Sequence, residues 1–216
     1  MADSTMKESV AVFLKGIDRY NPENLSSLEH YVQMQAIENT YNLDANLAIL
    51  KLYQFNPSLF KETVTCQILL KALMNLPQTD FTLCRCLISE NFHELPSISK
   101  VTELSNKLEM CEFREFWREL EESKELIGGI KGFEESIKKF IVSVLNVTFQ
   151  LIDKVQLTEM LGNLSDEDLK RMCLEQQWQI TGDQVFIANQ EEHIKSKNIT
   201  EKITFENMSH IIRSST

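Results

Sequence analysis

Leu157–Ile187 reads LTEMLGNLSDEDLKRMCLEQQWQITGDQVFI, and the order of its signals decides the fold. The apolar run Leu157 to Leu161 stops at Gly162, which predicts a brief helix. Ser165-Asp166-Glu167-Asp168 then has the form of a capping box, with acid in the first turn facing the positive end of the helix dipole. A second helix is predicted from there toward Trp178, with Leu164, Leu169, Met172 and Cys173 on its apolar face. Gln179-Ile180-Thr181 and Gln184-Val185-Phe186-Ile187 are β-rich runs separated by Gly182-Asp183, the pattern of a hairpin. Helix, helix and hairpin in this order predict a winged-helix module, assigned to residues 151–190.

Proteins of this kind read nucleic acid or dock to other proteins, and surface charge separates the two. Ile152–Gln190 carries seven acids against three bases, a net charge of −4. Asp166, Glu167 and Asp168 open the helix at the end that would meet base edges, and the hairpin holds no Lys or Arg, so a phosphate backbone is repelled. The module is read as a protein-docking surface. Val185-Phe186-Ile187 is expected to form an exposed edge strand that extends a sheet or packs on a neighbour.

The full chain of 216 residues suffices for one large or two modest domains and for burying roughly 70% of its unfolded surface. A composition of 43% hydrophobic and 25% charged residues, with 6 Gly and 4 Pro, is that of an ordinary helix-rich globular protein. A net charge of −10 disfavours autonomous binding to nucleic acid or an anionic membrane and favours protein partners. Five scattered cysteines, an odd number, fit free thiols in a reducing compartment. The first residues lack a basic segment followed by an apolar core, and no apolar run of about 18 residues occurs, so neither export nor a membrane span is expected.

Residues 1–150 read as amphipathic helices with short breaks, without strands. Val10, Phe13, Leu14 and Ile17 mark the first, and Leu25, Leu28, Val32 and Ala36 the second, beyond Asn21-Pro22. Leu43 to Tyr53 gives a third. Asn56-Pro57 is expected to cap a long helix with Phe60, Val64, Ile68, Leu69, Ala72, Leu73 and Leu76 on its stripe. Thr79-Asp80 and Pro96-Ser97 start two more, and Phe113, Phe116, Trp117 and Leu120 anchor another before Gly128-Gly129-Ile130-Lys131-Gly132. A last run from Phe133 through Ile152 is predicted as one helix of nearly five turns. All four prolines fall at helix boundaries, which predicts an irregular, HEAT-like stack of helical hairpins. Residues 191–216 form a polar linker and a tail helix, whose apolar side, Phe205, Met208, Ile211 and Ile212, must lie on this chain's core or on a partner.

Nothing in the pattern is catalytic. His30, His93, His193 and His210 are far apart, and Cys84-Arg85-Cys86 lacks the four ligands of a structural zinc site. The Gly128–Gly132 run lacks the preceding strand and the Gly-Lys-Ser/Thr ending of a phosphate cradle. Glu119, Glu121, Glu122 and Glu125, interleaved with Arg118 and Lys124, make a solvated helix face. No enzyme activity, metal or cofactor is expected.

Lys15-Gly16-Ile17-Asp18-Arg19-Tyr20-Asn21-Pro22-Glu23-Asn24-Leu25, the segment Asn46 to Pro57 and Gln67 through Leu83 resemble the k-subunit family of eukaryotic translation initiation factor 3. Glu159-Met160-Leu161-Gly162 and Gln190-Glu191-Glu192 extend the resemblance over nearly the whole chain. It implies a HEAT-like helical domain followed by a winged helix, related to the domain shared by proteasome-lid, signalosome and initiation-factor scaffolds. It also implies a non-enzymatic subunit of the initiation factor complex, cytoplasmic with a nuclear pool. Such a subunit pairs most directly with the l subunit and acts on the small ribosomal subunit through the assembly. The competing reading is a winged-helix protein that contacts RNA directly.

Overall fold

The computed structural model describes residues 2–187; the tail side chains Phe205, Met208, Ile211 and Ile212 lie outside the described residues. Nine helices precede the first strand: α1 (Ala2–Phe13), α2 (Leu25–Glu38), α3 (Leu43–Phe55), α4 (Glu62–Leu73), α5 (Asp80–Cys86), α6 (Pro96–Glu109), α7 (Phe113–Glu122), α8 (Lys124–Ile127) and α9 (Phe133–Thr148). Strand β1 (Leu151–Asp153), helices α10 (Lys154–Met160) and α11 (Asp166–Gln176), and strands β2 (Gln179–Thr181) and β3 (Gln184–Phe186) complete the described chain. It is mainly helical, with one small antiparallel sheet.

The apolar stripes become the core as their spacing predicts. Ile98, Val101, Leu104 and Leu108 of α6 are each fully buried, at three- and four-residue intervals. α2 packs on α3 and α4, α4 on α5 and α6, and α6 on α7. Polar side chains fix the joints between these apolar faces. The Gln35 side-chain amide donates to Asn46 Oδ1 at 2.9 Å, and its Oε1 accepts from the Asn42 amide at 2.8 Å. Asn42 in turn caps α3 by accepting from Ala45 N at 3.1 Å. A buried carboxylate on α2, Glu29, accepts from the Tyr53 hydroxyl at 2.7 Å and is also paired with Lys61.

Two boundaries differ from the sequence reading. The Asn56 side chain does not cap a helix; it donates back to Leu52 O at 3.0 Å, so Pro57–Leu59 forms a single 3-10 turn and α4 begins only at Glu62. The run ending at Ile152 is not one helix. α9 stops at Thr148, Phe149 is extended, and Ile152 sits in β1 with 3% exposure. Its β-branched side chain packs in the sheet as readily as on a helix stripe, and an apolar run alone does not distinguish the two.

Burial also sets the alkaline behaviour. It pushes the Cys66 and Cys84 thiols up to about 12 from the ordinary 9.0, with Glu62 and Asp80 adding to the two shifts respectively. The unfolded chain therefore loses these protons first, so their stabilising contribution is complete below pH 9.0 and is lost as pH rises toward about 12. Tyr41 and Tyr53, raised by burial and by donation to Asp80 and Glu29, act in the same sense above 10.0. Lys71, whose ammonium is disfavoured by burial, acts in the opposite sense below 10.5. Unfolding free energy is expected to decline from pH 9.0 upward, and Cys84→Ala to flatten that decline; an unchanged slope in denaturant titrations contradicts the assignment.

Candidate functional site

The C-terminal module is built on the stop at Gly162 and the start at Ser165. Gly162 has φ +84°, and a Cβ there would come within 3.1 Å of the Trp117 ring, so only glycine lets α10 end against α7. Ser165 accepts from Asp168 N at 3.2 Å, as the capping pattern requires, while its hydroxyl donates to Asp168 Oδ2 at 2.7 Å. Leu157, Leu161 and Leu169 are fully buried, and Cys173 and Trp178 nearly so.

This module is continuous with the helices before it. Trp117 Nε1 donates to Met160 O at 2.9 Å, Trp178 Nε1 donates to Asn146 Oδ1 at 2.8 Å, and Arg114 pairs with Glu159 at 2.9 Å. One hydrophobic core runs from Val10 to Ile187.

The sheet order is β1-β3-β2, and this corrects the expected edge strand. β3 is central, bonded to β1 on one side and β2 on the other, and Val185 and Ile187 are buried, at 0% and 6% exposure. The outer position expected for β3 is taken by β1, hidden in the sequence at the end of the α9 apolar run. Among the described residues, β1 and β2 each pair with β3 alone, so the sheet's edges lie there. Of the three residues proposed from sequence on this strand, Phe186 alone reaches solvent, at 37% exposure.

Phe186 has company that sequence reading missed. It is directly opposite Leu151 on one side and Gln179 on the other, and Leu151 is 47% exposed. Cross-strand partners share a face, so Leu151 and Phe186 form an apolar pair on the outer face of the sheet, while Ile152 and Val185 form the inner one. The next outer row, Asp153, Gln184 and Thr181, is polar. The signal was present as alternation in Leu151-Ile152-Asp153, too short to stand out from the helix before it.

The cations of this module are largely engaged. Lys154 pairs with Asp166 at 2.8 Å and holds that carboxyl below the usual carboxylate range; Arg171 pairs with Asp168 on the same helix. The acids opening α11 thus face either solvent or an internal base, an arrangement that offers phosphate no row of free cations.

Elsewhere, the sequence candidates stay apart. Cys84 is buried and Cys86 exposed; His30 is exposed, and His93 Nε2 lies 3.0 Å from Ile88 O. Among the described residues no group of three or more His, Cys, Asp or Glu is placed to hold a metal ion. No helix among them is long and apolar enough to cross a membrane. A cleft of about 670 Å³ where α7 meets α9 and α10 is lined by mixed charges, including the Arg114 and Glu159 pair.

Comparison with known proteins decides the assignment. The CSN8/PSMD8/EIF3K family pattern matches residues 59–198. The chain belongs to the CSN8/PSMD8/EIF3K family. Relatives of this CSN8/PSMD8/EIF3K chain include proteins called eukaryotic translation initiation factor 3 subunit K from Homo sapiens, Bombyx mori and Nematostella vectensis. The human protein is 54% identical over 211 residues, spanning 97% of each chain. The Bombyx mori protein is 51% identical over 208 residues, 96% of this chain and 95% of its own. The Nematostella vectensis protein is 48% identical over 208 residues, 96% of each. The resemblance read from Lys15–Leu25 and the later segments therefore holds across nearly the whole CSN8/PSMD8/EIF3K chain.

Proposed function

We propose that the chain is a non-catalytic scaffold subunit of translation initiation factor 3, docking to sister subunits through its C-terminal module. The l subunit is the most direct partner in this reading, and the small ribosomal subunit is reached through the complex, in the cytoplasm with a nuclear pool. The observation that carries the docking mode is the outward pair Leu151 and Phe186 on adjacent strands of an acidic module. Exposed apolar side chains on a sheet face that also has two strand edges suit packing against, or extension by, a neighbouring protein. The relatives' shared name supports membership of the factor.

The finer fold reading goes with it. Residues 1–150 are taken as a HEAT-like stack, supported by the packing of α2 on α3, α4 on α5 and α6 on α7. Residues 151–190 are taken as a winged helix, supported by the succession of β1, two helices and the β2–β3 hairpin. Residues 191–216 are kept as linker and tail helix, with Phe205, Met208, Ile211 and Ile212 as a second docking stripe. Val185 and Ile187 serve the docking surface from beneath, by holding the strand that presents Phe186.

The test is co-purification of the full chain with the factor. Leu151→Asp with Phe186→Asp is expected to lower recovery about tenfold or more, as loss of a central apolar anchor does, with little change in thermal stability. Unchanged recovery removes this face from the interface. Salt-dependent binding of the isolated chain to RNA at physiological ionic strength would instead favour direct RNA contact.

A further inference from the structure

At the end of the molecule formed by the turn after α1 and the last turn of α3, a second surface combines apolar exposure with an unpaired cation. Ile17 is 87% exposed, Phe55 64% and Tyr20 42%. The Tyr20 and Phe55 rings meet edge to face, 6.1 Å between centroids, and the Arg19 guanidinium carbon lies 5.9 Å from the Tyr20 centroid. Arg19 has no carboxylate within ion-pair distance among the described residues, and its Nε is buried without a hydrogen-bond partner. A buried donor left unmet is costly, and the fork of a guanidinium matches a carboxylate.

The turn that presents these groups is stiff. Tyr20 N donates to Ile17 O at 3.0 Å and Asn21 N to Asp18 O at 3.1 Å. Asn21 Oδ1 accepts from Glu23 N at 3.0 Å, and the Asn24 side chain donates to Asp18 O at 3.1 Å. Holding exposed apolar groups in one conformation lowers the ordering cost of binding. Arg and Tyr are the residue types that dominate interface energetics.

We propose that Ile17, Arg19, Tyr20 and Phe55 form a protein-docking patch whose occupant is a partner segment bearing a carboxylate beside an apolar side chain. The carboxylate meets Arg19 Nε and its neighbouring N–H groups, and the apolar side chain covers the Tyr20 and Phe55 edges. Single-stranded nucleic acid could also stack on these rings, but Asp18 and Glu23 flank Arg19, and the local cations, Lys15 and Arg19, are too few to track a phosphate backbone. The patch is remote in sequence from Leu151 and Phe186, so it gives the subunit a second contact; this rests on the proposed membership of the factor.

Hydroxyl-radical footprinting of the full chain, free and within purified initiation factor 3, tests the inference. Tyr20 and Phe55 are expected to be oxidised several-fold more slowly in the assembly. In competition with wild-type chain, Arg19→Glu is expected to lose about tenfold in incorporation and Arg19→Lys less, since lysine keeps the charge without the fork. Equal oxidation of Tyr20 and Phe55 in free and assembled chain overturns the patch and leaves the Leu151–Phe186 surface standing. Full incorporation of Arg19→Glu with protection retained overturns the acidic occupant. Binding of a single-stranded RNA oligomer by the free chain, abolished by Tyr20→Ala, overturns the protein occupant. If wild-type chain does not enter the factor at all, both this inference and the proposed function fall.

Discussion

Trp178→Ala is expected to remove about 3–5 kcal/mol from the unfolding free energy, the range for emptying a buried aromatic site. Trp178 is 5% exposed and stands where the chain leaves α11 for β2. Gln177 adopts φ 61° to turn it there, and Trp178 N donates to Cys173 O at 2.8 Å, closing the helix end. Its indole crosses to α9, where Nε1 meets Asn146 Oδ1 at 2.8 Å. The ring therefore joins the end of α11, the start of the sheet and the preceding helix in one place. Trp178→Phe keeps much of the apolar area and drops the bond, so about 1–2 kcal/mol is expected. Urea titrations followed by circular dichroism check both; a loss under about 1 kcal/mol for the alanine variant contradicts the role given to this ring.

Gly132→Val is expected to be nearly as damaging, at about 2–4 kcal/mol, through a chain of contacts rather than a cavity. Gly132 has φ +76°, and a Cβ there would stand 2.6 Å from Asn39 Nδ2. Asn39, itself at φ 55° at the end of α2, gives its Oδ1 to Lys71 Nζ at 3.1 Å. Lys71 is 2% exposed and, among the described residues, faces no carboxylate at ion-pair distance. Displacing Asn39 leaves an ammonium buried without its acceptor, the costly half of breaking a polar contact. Lys71→Met removes that charge, so the two substitutions together should cost less than their separate effects summed. A strictly additive double-mutant cycle shows that the damage is backbone strain at residue 132 alone.

The helical stripes were legible because their period is long and repeated: each apolar residue read from α6 is fully buried, and Ser165 caps α11 as its spacing predicts. Three short features were not. Asn56 preceding proline has the form of a cap, yet its amide finds Leu52 O closer at hand. Leu151–Asp153 offers only three residues of alternation behind sixteen of helix, so β1 merged with α9 and β3 was taken for an edge. The Gln35–Asn46 and Asn39–Lys71 pairs join positions 11 and 32 residues apart, where no local period links the partners. The outward position of Phe186 follows from alternation, but its neighbour Leu151 became visible only with the register.

The central strand of the sheet is the last one in the chain, and this sets a timetable for synthesis. β1 and β2 share no hydrogen bonds with each other and meet only through β3. A nascent chain ending before Gln184 therefore holds two outer strands with nothing between them, and the apolar pair Leu151 and Phe186 does not yet exist. The helices ahead can fold as they emerge, since their contacts are local, but the docking face is assembled only after residue 187 has left the ribosome. The surface that recruits partners is thus withheld until the fold behind it is in place, a built-in order of events that keeps incomplete chains from competing for the assembly.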